Sequence, residues 1–255
     1  MVFLINNIYS QQRINGYNNH AWLMYVGSHK FSEKFGIHLE VQWRRNQLFI
    51  NPQQLLLRSG INYYINKKMT FTAGYCFVKT YPYGVFPISI AFPENRIWQQ
   101  VQFKNNLGKF EFLNRYRLEQ RMSYLPVLSN DSMFVIGNSK YTNRIRLMQR
   151  LSIPFKGNEI IDKSFYLSLY NELFIGFGKN VGANFFDQNR AYVALGYKLP
   201  NIGRIEIGFL EQTIFKNVNL NSSGQIQQKI ENNHTLQIGL TSSIDFYKKK
   251  QNGHQ

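Results

Sequence analysis

Charged side chains recur at every second position in the stretch RYRLEQR, residues 115–121, where Arg115, Arg117, Glu119 and Arg121 alternate with other residues. A guanidinium group offers a rigid fork of N–H donors that meets a carboxylate or another oxyanion at two points. This composition and spacing therefore indicate a ladder of ion pairs or a wall that attracts anions. An α-helix would scatter the four charges around its circumference, whereas a β-strand places all of them on one face.

Along the chain, arginine and glutamate recur in strand-like segments, at the alternate positions that carry the polar residues. This set has eleven arginines and six glutamates, a surplus of five positive charges. Its members are Glu40, Arg44, Arg58, Glu94, Arg96, Glu111, Arg115, Arg117, Glu119, Arg121, Arg144, Arg146, Arg150, Glu172, Arg190, Arg204 and Glu206. If these side chains lined an open channel, the surplus would favour small anions. If they paired across strands, they would fill the interior and leave it closed, and both alternatives stay open.

The histidines give little support to a hydrolase. Hydrolysis of a lipid ester usually needs a serine beside a histidine that a third polar group holds in place. His38 lies on the same strand face as Glu40 and is expected inside the barrel. His234 lies on the face of the apolar residues Leu236 and Ile238, and no motif places a serine beside it. His20 and His29 are expected at the solvated ends of the first strand. The sequence therefore predicts that the protein is not an enzyme.

No cofactor or metal is predicted either. Cys76 is the only cysteine, so it can form no intramolecular disulfide, and it is expected to be a small buried residue. Histidines are few and far apart, acidic pairs at ligand spacing are absent, and there is no glycine-rich phosphate loop.

The elements that position the charges are predicted to be strands. The segment FGIHLEVQWRR at residues 35–45 has five apolar residues on one parity and polar residues or glycine on the other. The same alternation predicts strands at 19–29, 35–45, 55–64, 69–79, 94–103, 110–122, 141–153, 165–177, 188–198, 204–212 and 234–246. No segment keeps an apolar stripe of period 3.6, so the fold class is all-β.

The connections predict how the strands are arranged. Short ones at 66–68, 105–109 and 199–203 alternate with longer ones at 81–93, 125–140 and 215–233, and the seven prolines lie in connections or at strand ends. Short turns at one end and long loops at the other are typical of an antiparallel outer-membrane barrel. Eleven segments are recognisable, but bacterial barrels usually have an even number of strands. About twelve strands are therefore expected, with the missing one before Trp22 or within 217–230.

Two other classes of β protein fit the pattern less well. A soluble sandwich would present a mostly aliphatic strand face to its core. Here the apolar face instead carries bulky rings toward the segment ends, as in the aromatic girdles of membrane barrels. These rings are Phe35, Trp43, Tyr63, Phe103, Phe110, Tyr141 and Tyr197. The net charge of +16 would suit nucleic acid, but the basic and aromatic residues lie on opposite parities. No nucleic-acid partner is predicted.

The chain is expected to occupy the outer membrane of a Gram-negative bacterium. It has no run of about eighteen apolar residues, which excludes a transmembrane helix but leaves a transmembrane barrel possible. Residues 1–11 are predicted to be the remnant of a secretory signal peptide, residues 12–247 the barrel domain and residues 248–255 a polar C-terminal tail.

Several ordered motifs resemble a family of uncharacterised bacterial outer-membrane proteins. FPENRIWQQ at 92–100, RYRLEQR at 115–121, NELF at 171–174 and FDQNR at 186–190, with a tryptophan in the first strand, are similar to domain of unknown function 2490, which is common in Bacteroidetes. The resemblance implies an outer-membrane β-barrel. No activity is established for that family, so it implies no catalytic residue. The tail KKKQNGHQ departs from the terminal aromatic residue that such barrels often carry.

Together these features predict a porin-like barrel with a lumen lined by arginine and glutamate. Its partners are expected to be outer-membrane lipid, the barrel-assembly machinery and small anions. A narrow anion-preferring pore or ligand-binding barrel is the first hypothesis. A closed barrel with a salt-bridged lumen, or a scaffold whose long loops make surface contacts, is the alternative. The loop TYPYGVFPISIAFPEN at 80–95 could fold inward as a constriction or outward as a contact.

Overall fold

Strands with alternating polar and apolar residues close into a single barrel. The computed structural model describes residues 12–181, 185–220 and 226–247. The strands are β1 (Gln12–Lys30), β2 (Phe35–Asn46), β3 (Asn51–Tyr64), β4 (Met69–Thr80), β5 (Phe92–Leu107), β6 (Phe110–Ser123), β7 (Pro126–Leu128), β8 (Phe134–Ile136), β9 (Lys140–Pro154), β10 (Phe165–Phe177), β11 (Phe186–Leu199), β12 (Gly203–Leu220) and β13 (Ile226–Ser242). All except β7 and β8 belong to the barrel. The expected all-β barrel is confirmed.

The prediction of about twelve strands is not confirmed, because the closed barrel formed by the described residues contains eleven. A ring in which every neighbouring pair is antiparallel needs an even number of strands. Here β1 pairs with β13 in parallel, from Gln12↔Gln227 to Gly27↔Ser242, and the other ten pairings are antiparallel. One parallel seam is what allows an odd number to close. The two regions suggested for a further strand instead lengthen β1, β12 and β13.

The two ends of the barrel differ in their connections. One end, the turn end, has the connections 31–34, 65–68, 108–109, 155–164 and 200–202, and the other, the loop end, has 47–50, 81–91 and 124–139. The long connection expected at 215–233 is wrong, since β12 and β13 occupy most of it. The connection 124–139 is long as expected, but it contains the small antiparallel hairpin β7–β8.

Glycine permits a tight turn at one position of the barrel and a close side-chain approach at another. Gly108 has φ 55° in the two-residue turn between β5 and β6, a conformation that other residues rarely adopt. Gly196 faces inward on β11, and a Cβ there would clash with the ring of Tyr166. The absence of that Cβ lets the tyrosine ring lie across the inner wall.

The pleat separates side chains into two chemically distinct faces. On β2 the residues His38, Glu40, Gln42 and Arg44 are buried inside, while Val41 between them is exposed outside. The alternation predicted for residues 35–45 therefore places the polar parity in the interior and the apolar parity on the outer surface. Cys76 is buried, as expected.

The described residues include no helix with the length and hydropathy needed to cross a bilayer. The predicted signal remnant at residues 1–11 and the polar tail at 248–255 lie outside the described residues.

Candidate functional site

Glu119 lies at the centre of an ion-pair network inside the barrel. Its side chain is completely buried, and its carboxylate oxygens lie 2.6 Å from Arg144 Nη2 and 2.8 Å from Arg146 Nη1. Arg58 Nη2 at 3.2 Å and Arg96 Nη1 at 3.8 Å complete the surroundings. These arginines come from β3, β5 and β9, so a single carboxylate on β6 connects distant parts of the wall.

Each arginine around Glu119 also has a second carboxylate partner. Arg58 Nη1 lies 2.5 Å from Glu40, and Arg96 Nε lies 2.5 Å from Glu94. Arg146 pairs with Glu172 at 2.9 Å. Shared partners of this kind compensate the cost of removing each charge from water. They also link β2, β3, β5, β6, β9 and β10 through the interior rather than through the sheet.

The network continues toward the turn end of the barrel. Arg115 lies 2.7 Å from Glu172, and Arg204 lies 2.8 Å from Glu111. Arg150 pairs with Glu206, which also accepts a hydrogen bond from the Tyr166 hydroxyl at 2.7 Å. At the turn-end mouth, Arg204, Glu111 and Lys198 help to line a partly open cavity of about 650 Å³, the turn-end vestibule.

Toward the loop end, Arg121 pairs with Glu94 at 2.6 Å and Arg144 with Asp187 at 2.6 Å. Asp187 was not among the predicted interior residues, because the strand was expected to begin at residue 188, whereas β11 begins at Phe186. A second acidic residue that the pattern missed is Glu231 on β13, which is buried and pairs with Lys216 at 2.8 Å.

Two smaller cavities lie inside the barrel, each of about 180 Å³. The loop-side cavity is lined by residues including Arg44, Arg121 and Asp187, and the turn-side cavity by residues including His38 and Arg115. Gln42, Arg146 and Arg190 line both of them. These shared side chains, held by the ion-pair network, therefore form a partition between the two cavities.

All seventeen residues of the predicted charged set face the interior. Twelve are buried, and Glu111, Arg115, Arg121, Arg150 and Arg204 are partly exposed toward the ends. Within the described residues, every one except Arg44 has an oppositely charged partner within 4.0 Å. Their register across the sheet, rather than their order in the sequence, determines which pairs form.

Arg117 has a different environment from the one its position in RYRLEQR suggests. Its Nε and Nη2 donate to the Gln100 Oε1 at 3.0 and 2.7 Å, and its nearest carboxylate, Glu119, is 4.0 Å away. The guanidinium lies 4.8 Å from the centroid of Trp98. Arg117 is therefore held by a neutral amide and an indole ring, not by an ion pair at hydrogen-bonding distance.

Several aromatic rings lie inside the barrel, although the alternation of the sequence predicts rings on the outer face. Trp22, Trp98 and Phe174 are all buried on the inner face. The guanidinium carbons of Arg146 and Arg190 lie 4.5 and 4.7 Å from the ring centroid of Phe174. Such cation–π contacts add to the ion pairs where guanidinium groups are desolvated. The sequence contained this information, because these rings occupy the same alternate strand positions as the charged residues.

The histidines divide between the two faces. His38 is buried, with Nε2 3.5 Å from Glu40 and its ring against Trp98. The expectation that His20 and His29 are solvated ends is wrong: both are buried, because β1 extends beyond them and the loop-end and turn-end segments cover them. His234 lies on the outer face, as its parity predicts.

On the outer face His234 contacts one carboxylate and two aromatic rings. Its Nδ1 lies 2.6 Å from Glu211 Oε2, and its ring stacks near Tyr17 and Phe209. Within the described part of the chain, no three His, Cys, Asp or Glu side chains are grouped as metal ligands would be.

The connection 81–91 folds over the loop end of the interior. Val85 N donates to the side chain of buried Asn18 at 3.0 Å, and Tyr83 packs edge-on against His20. Of the two orientations left open for this loop, the structure has the inward one. Tyr83 helps to line the loop-side cavity. Burial raises the pKa of its hydroxyl.

A comparison against known protein families matches most of the chain. Residues 19–223 match the family described as "Protein of unknown function (DUF2490)". No curated protein and no solved structure matches the chain. Because the match covers most of the barrel, from within β1 to beyond the end of β12, the resemblance inferred from the sequence is confirmed, and the chain belongs to the DUF2490 family of proteins of unknown function.

Proposed function

We propose that this protein is a bacterial outer-membrane β-barrel whose interior is closed by an arginine and glutamate network and which has no enzymatic activity. In this proposal lipid surrounds the apolar outer wall, and the barrel-assembly machinery inserts the chain. The interior binds small anions but does not conduct them freely, and no nucleic acid is bound.

The observation that carries this proposal is the distribution of apolar side chains. The barrel strands have exposed large apolar residues on their outer face, including Val41, Leu57, Ile61, Phe71, Ile97, Tyr116, Ile145, Val193, Leu195, Ile207, Phe209 and Leu236. Buried arginines and glutamates occupy the inner face. A water-soluble barrel would have the reverse distribution, and exposed apolar patches of this extent mark contact with lipid or another apolar partner.

Polar residues on the outer wall are compatible with lipid contact where their amides pair with each other. Asn171 and Asn189 exchange hydrogen bonds at 3.3 and 3.1 Å, and Gln120 donates to Gln99 at 3.3 Å. Pairing lowers the cost of placing an amide in hydrocarbon. Asn114 also breaks the apolar parity, and it faces outward beside Phe112.

The ring contacts at the barrel ends support the membrane placement further. Phe35 packs against Tyr63 at 5.3 Å, and Phe165 packs against Tyr197 at 4.8 Å, on neighbouring strands near the turn end. Trp43 and Tyr141 are exposed near the loop end. Two rings of aromatic side chains are typical of the two interfaces of a bilayer.

A test of the membrane placement follows from the outer surface. The purified chain is expected to remain folded and monodisperse only with detergent or lipid, and to migrate faster on a cold detergent gel than after boiling. The physical reason is that transfer of the apolar outer wall to water is unfavourable. A folded monomer in detergent-free buffer would remove the proposal.

Planar-bilayer recordings distinguish the closed barrel from a pore. The partition between the two interior cavities is expected to leave the membrane silent, or nearly so, after insertion of the folded protein. Insertion is checked independently by protection of the barrel from protease in vesicles. Stable channels that prefer chloride over potassium would instead favour the anion-selective pore, for which the arginine surplus is the supporting feature.

A role in surface contact is the second candidate, and the hairpin β7–β8 favours it. Its residues Val127, Leu128, Phe134 and Ile136 are exposed, although they are large and apolar. The hairpin lies in the connection 124–139 at the loop end. Shortening this connection is expected to leave the barrel folded in detergent while removing any contact that depends on the hairpin, and loss of folding would contradict that.

A further inference from the structure

Two arginines in the loop-side cavity make no hydrogen bond to a carboxylate. Arg44 on β2 and Arg190 on β11 are each 7 % exposed. Among the described residues, no carboxylate oxygen lies within hydrogen-bonding distance of either guanidinium: the nearest approach is Arg190 Nη1 to Glu172 at 3.9 Å. Buried guanidinium groups that lack a hydrogen-bonded carboxylate are costly, so this pair needs an explanation.

The hydrogen bonds of both arginines go to neutral amides. Arg44 donates through Nε to the Gln42 Oε1 at 2.9 Å and through Nη1 to the Gln54 Oε1 at 2.5 Å. The Gln188 amide, with its oxygen turned toward Arg190, accepts from Nε at 2.8 Å and from Nη2 at 2.9 Å. Amide oxygens orient the two guanidinium groups but carry no negative charge. Among the described residues Arg44 has no ion pair, and Arg190 has only the Glu172 carboxylate at 3.9 Å.

The two groups are also close to one another. Their guanidinium carbons lie over the same indole ring, that of Trp22, at 4.0 Å for Arg44 and 5.1 Å for Arg190. Like charges brought together in a desolvated interior repel. A negative charge between them would remove that repulsion.

The walls of the cavity between them are strongly basic. Six arginines line it, against the two carboxylates Glu94 and Asp187. They are Arg44, Arg96, Arg121, Arg144, Arg146 and Arg190. The other four arginines pair with Glu94, Asp187, Glu119 or Glu172. The excess charge of the cavity is therefore concentrated on Arg44 and Arg190.

We propose that the loop-side cavity is a binding site for a small tetrahedral oxyanion of the phosphate or sulfate class, held between Arg44 and Arg190. The two guanidinium forks come from strands that are four positions apart around the barrel, so they approach an anion from different directions. A tetrahedral anion offers a separate pair of oxygens to each fork, whereas a carboxylate has only enough for one. The cavity of about 180 Å³ fits a small ion, and Tyr83 covers its loop side.

The test is calorimetric titration of inorganic phosphate into the folded full chain in HEPES and sodium chloride, with detergent. Saturable binding of phosphate and of sulfate is expected, with acetate much weaker. Arg44→Gln and Arg190→Gln are each expected to weaken phosphate binding by about tenfold or more. Arg45→Gln is the matched control, because Arg45 is adjacent in sequence but donates to Phe49 O and Ile50 O at the β2–β3 turn.

Stability measurements separate an anion-binding arginine from a structural one. Phosphate is expected to raise the unfolding midpoint of the parent and of Arg45→Gln but not of Arg44→Gln. Without phosphate, Arg44→Gln is expected to be as stable as the parent, because it removes an uncompensated charge. Absence of phosphate binding by the parent, acetate binding as tight as phosphate, or an equal loss of stability in both buffers would each overturn the proposal. The site does not depend on the membrane placement, since the titration applies equally to a barrel that stays folded without detergent.

Discussion

Replacing Glu119 with glutamine is expected to lower the free energy of unfolding by about 3–5 kcal/mol. Glu119 is fully buried and is shared by Arg58, Arg96, Arg144 and Arg146, so the change removes the one negative charge that all four contact. Glutamine keeps the shape of the side chain, which separates the electrostatic effect from a packing defect. Urea unfolding of the folded protein in lipid vesicles, followed by tryptophan fluorescence, measures the change.

Two further substitutions serve as controls for the Glu119→Gln prediction. Glu111→Gln removes a carboxylate that is partly exposed at the turn-end vestibule and pairs with Arg204, so a loss of about 0–1 kcal/mol is expected. Arg117→Gln is also expected to cost less than Glu119→Gln, because Arg117 has no carboxylate at hydrogen-bonding distance and donates to Gln100. Equal unfolding midpoints for Glu119→Gln and the parent would contradict a stabilising role for the network.

A lysine in place of Val193 is expected to destabilise the barrel by about 2–4 kcal/mol in a bilayer. Val193 is 43 % exposed at the middle of the outer face of β11, where Leu169 and Phe209 are its cross-strand neighbours. If hydrocarbon surrounds this face, the ammonium group must enter it or distort the bilayer. Unfolding in vesicles and the yield of heat-modifiable protein measure the effect.

The same substitution at Ile202 is the control. Ile202 is similarly exposed but lies in the turn between β11 and β12, where a lysine can reach water. A cost of about 0–1 kcal/mol is expected there. If Val193→Lys were as stable as the parent and more soluble, the outer face would be in contact with water and the membrane proposal would fail.

The alternation of side chains was sufficient to predict most of the strands and which residues face inward. This succeeds because a strand has a side-chain period of two whatever its neighbours are, so RYRLEQR predicts its own face assignment. The alternation predicted the first and last residues of the strands less well. Gln12 and Ser242, where β1 begins and β13 ends, lie outside regular alternation, and hydrogen bonding to neighbouring strands determines them.

The strand number could not be predicted from the pattern. An even number follows only from antiparallel pairing throughout, and nothing in the local sequence of β1 or β13 reports which direction its partner runs. The parallel seam between them is a property of the closed ring. For a similar reason the burial of His20 was missed, since the loop residue Tyr83 covers it and is distant in the sequence.

The sequence by itself determined that this chain alternates arginine and glutamate with apolar residues, and therefore that a closed sheet of it has one charged and one apolar face. Only the tertiary structure decided which charges pair. Glu119 contacts Arg58, which is 61 residues away, because strand register brings them together, whereas Arg117, two residues from Glu119, faces Gln100. Ion pairing depends on distances of a few ångströms across the interior, and those distances are fixed by closure and register, which no local spacing encodes.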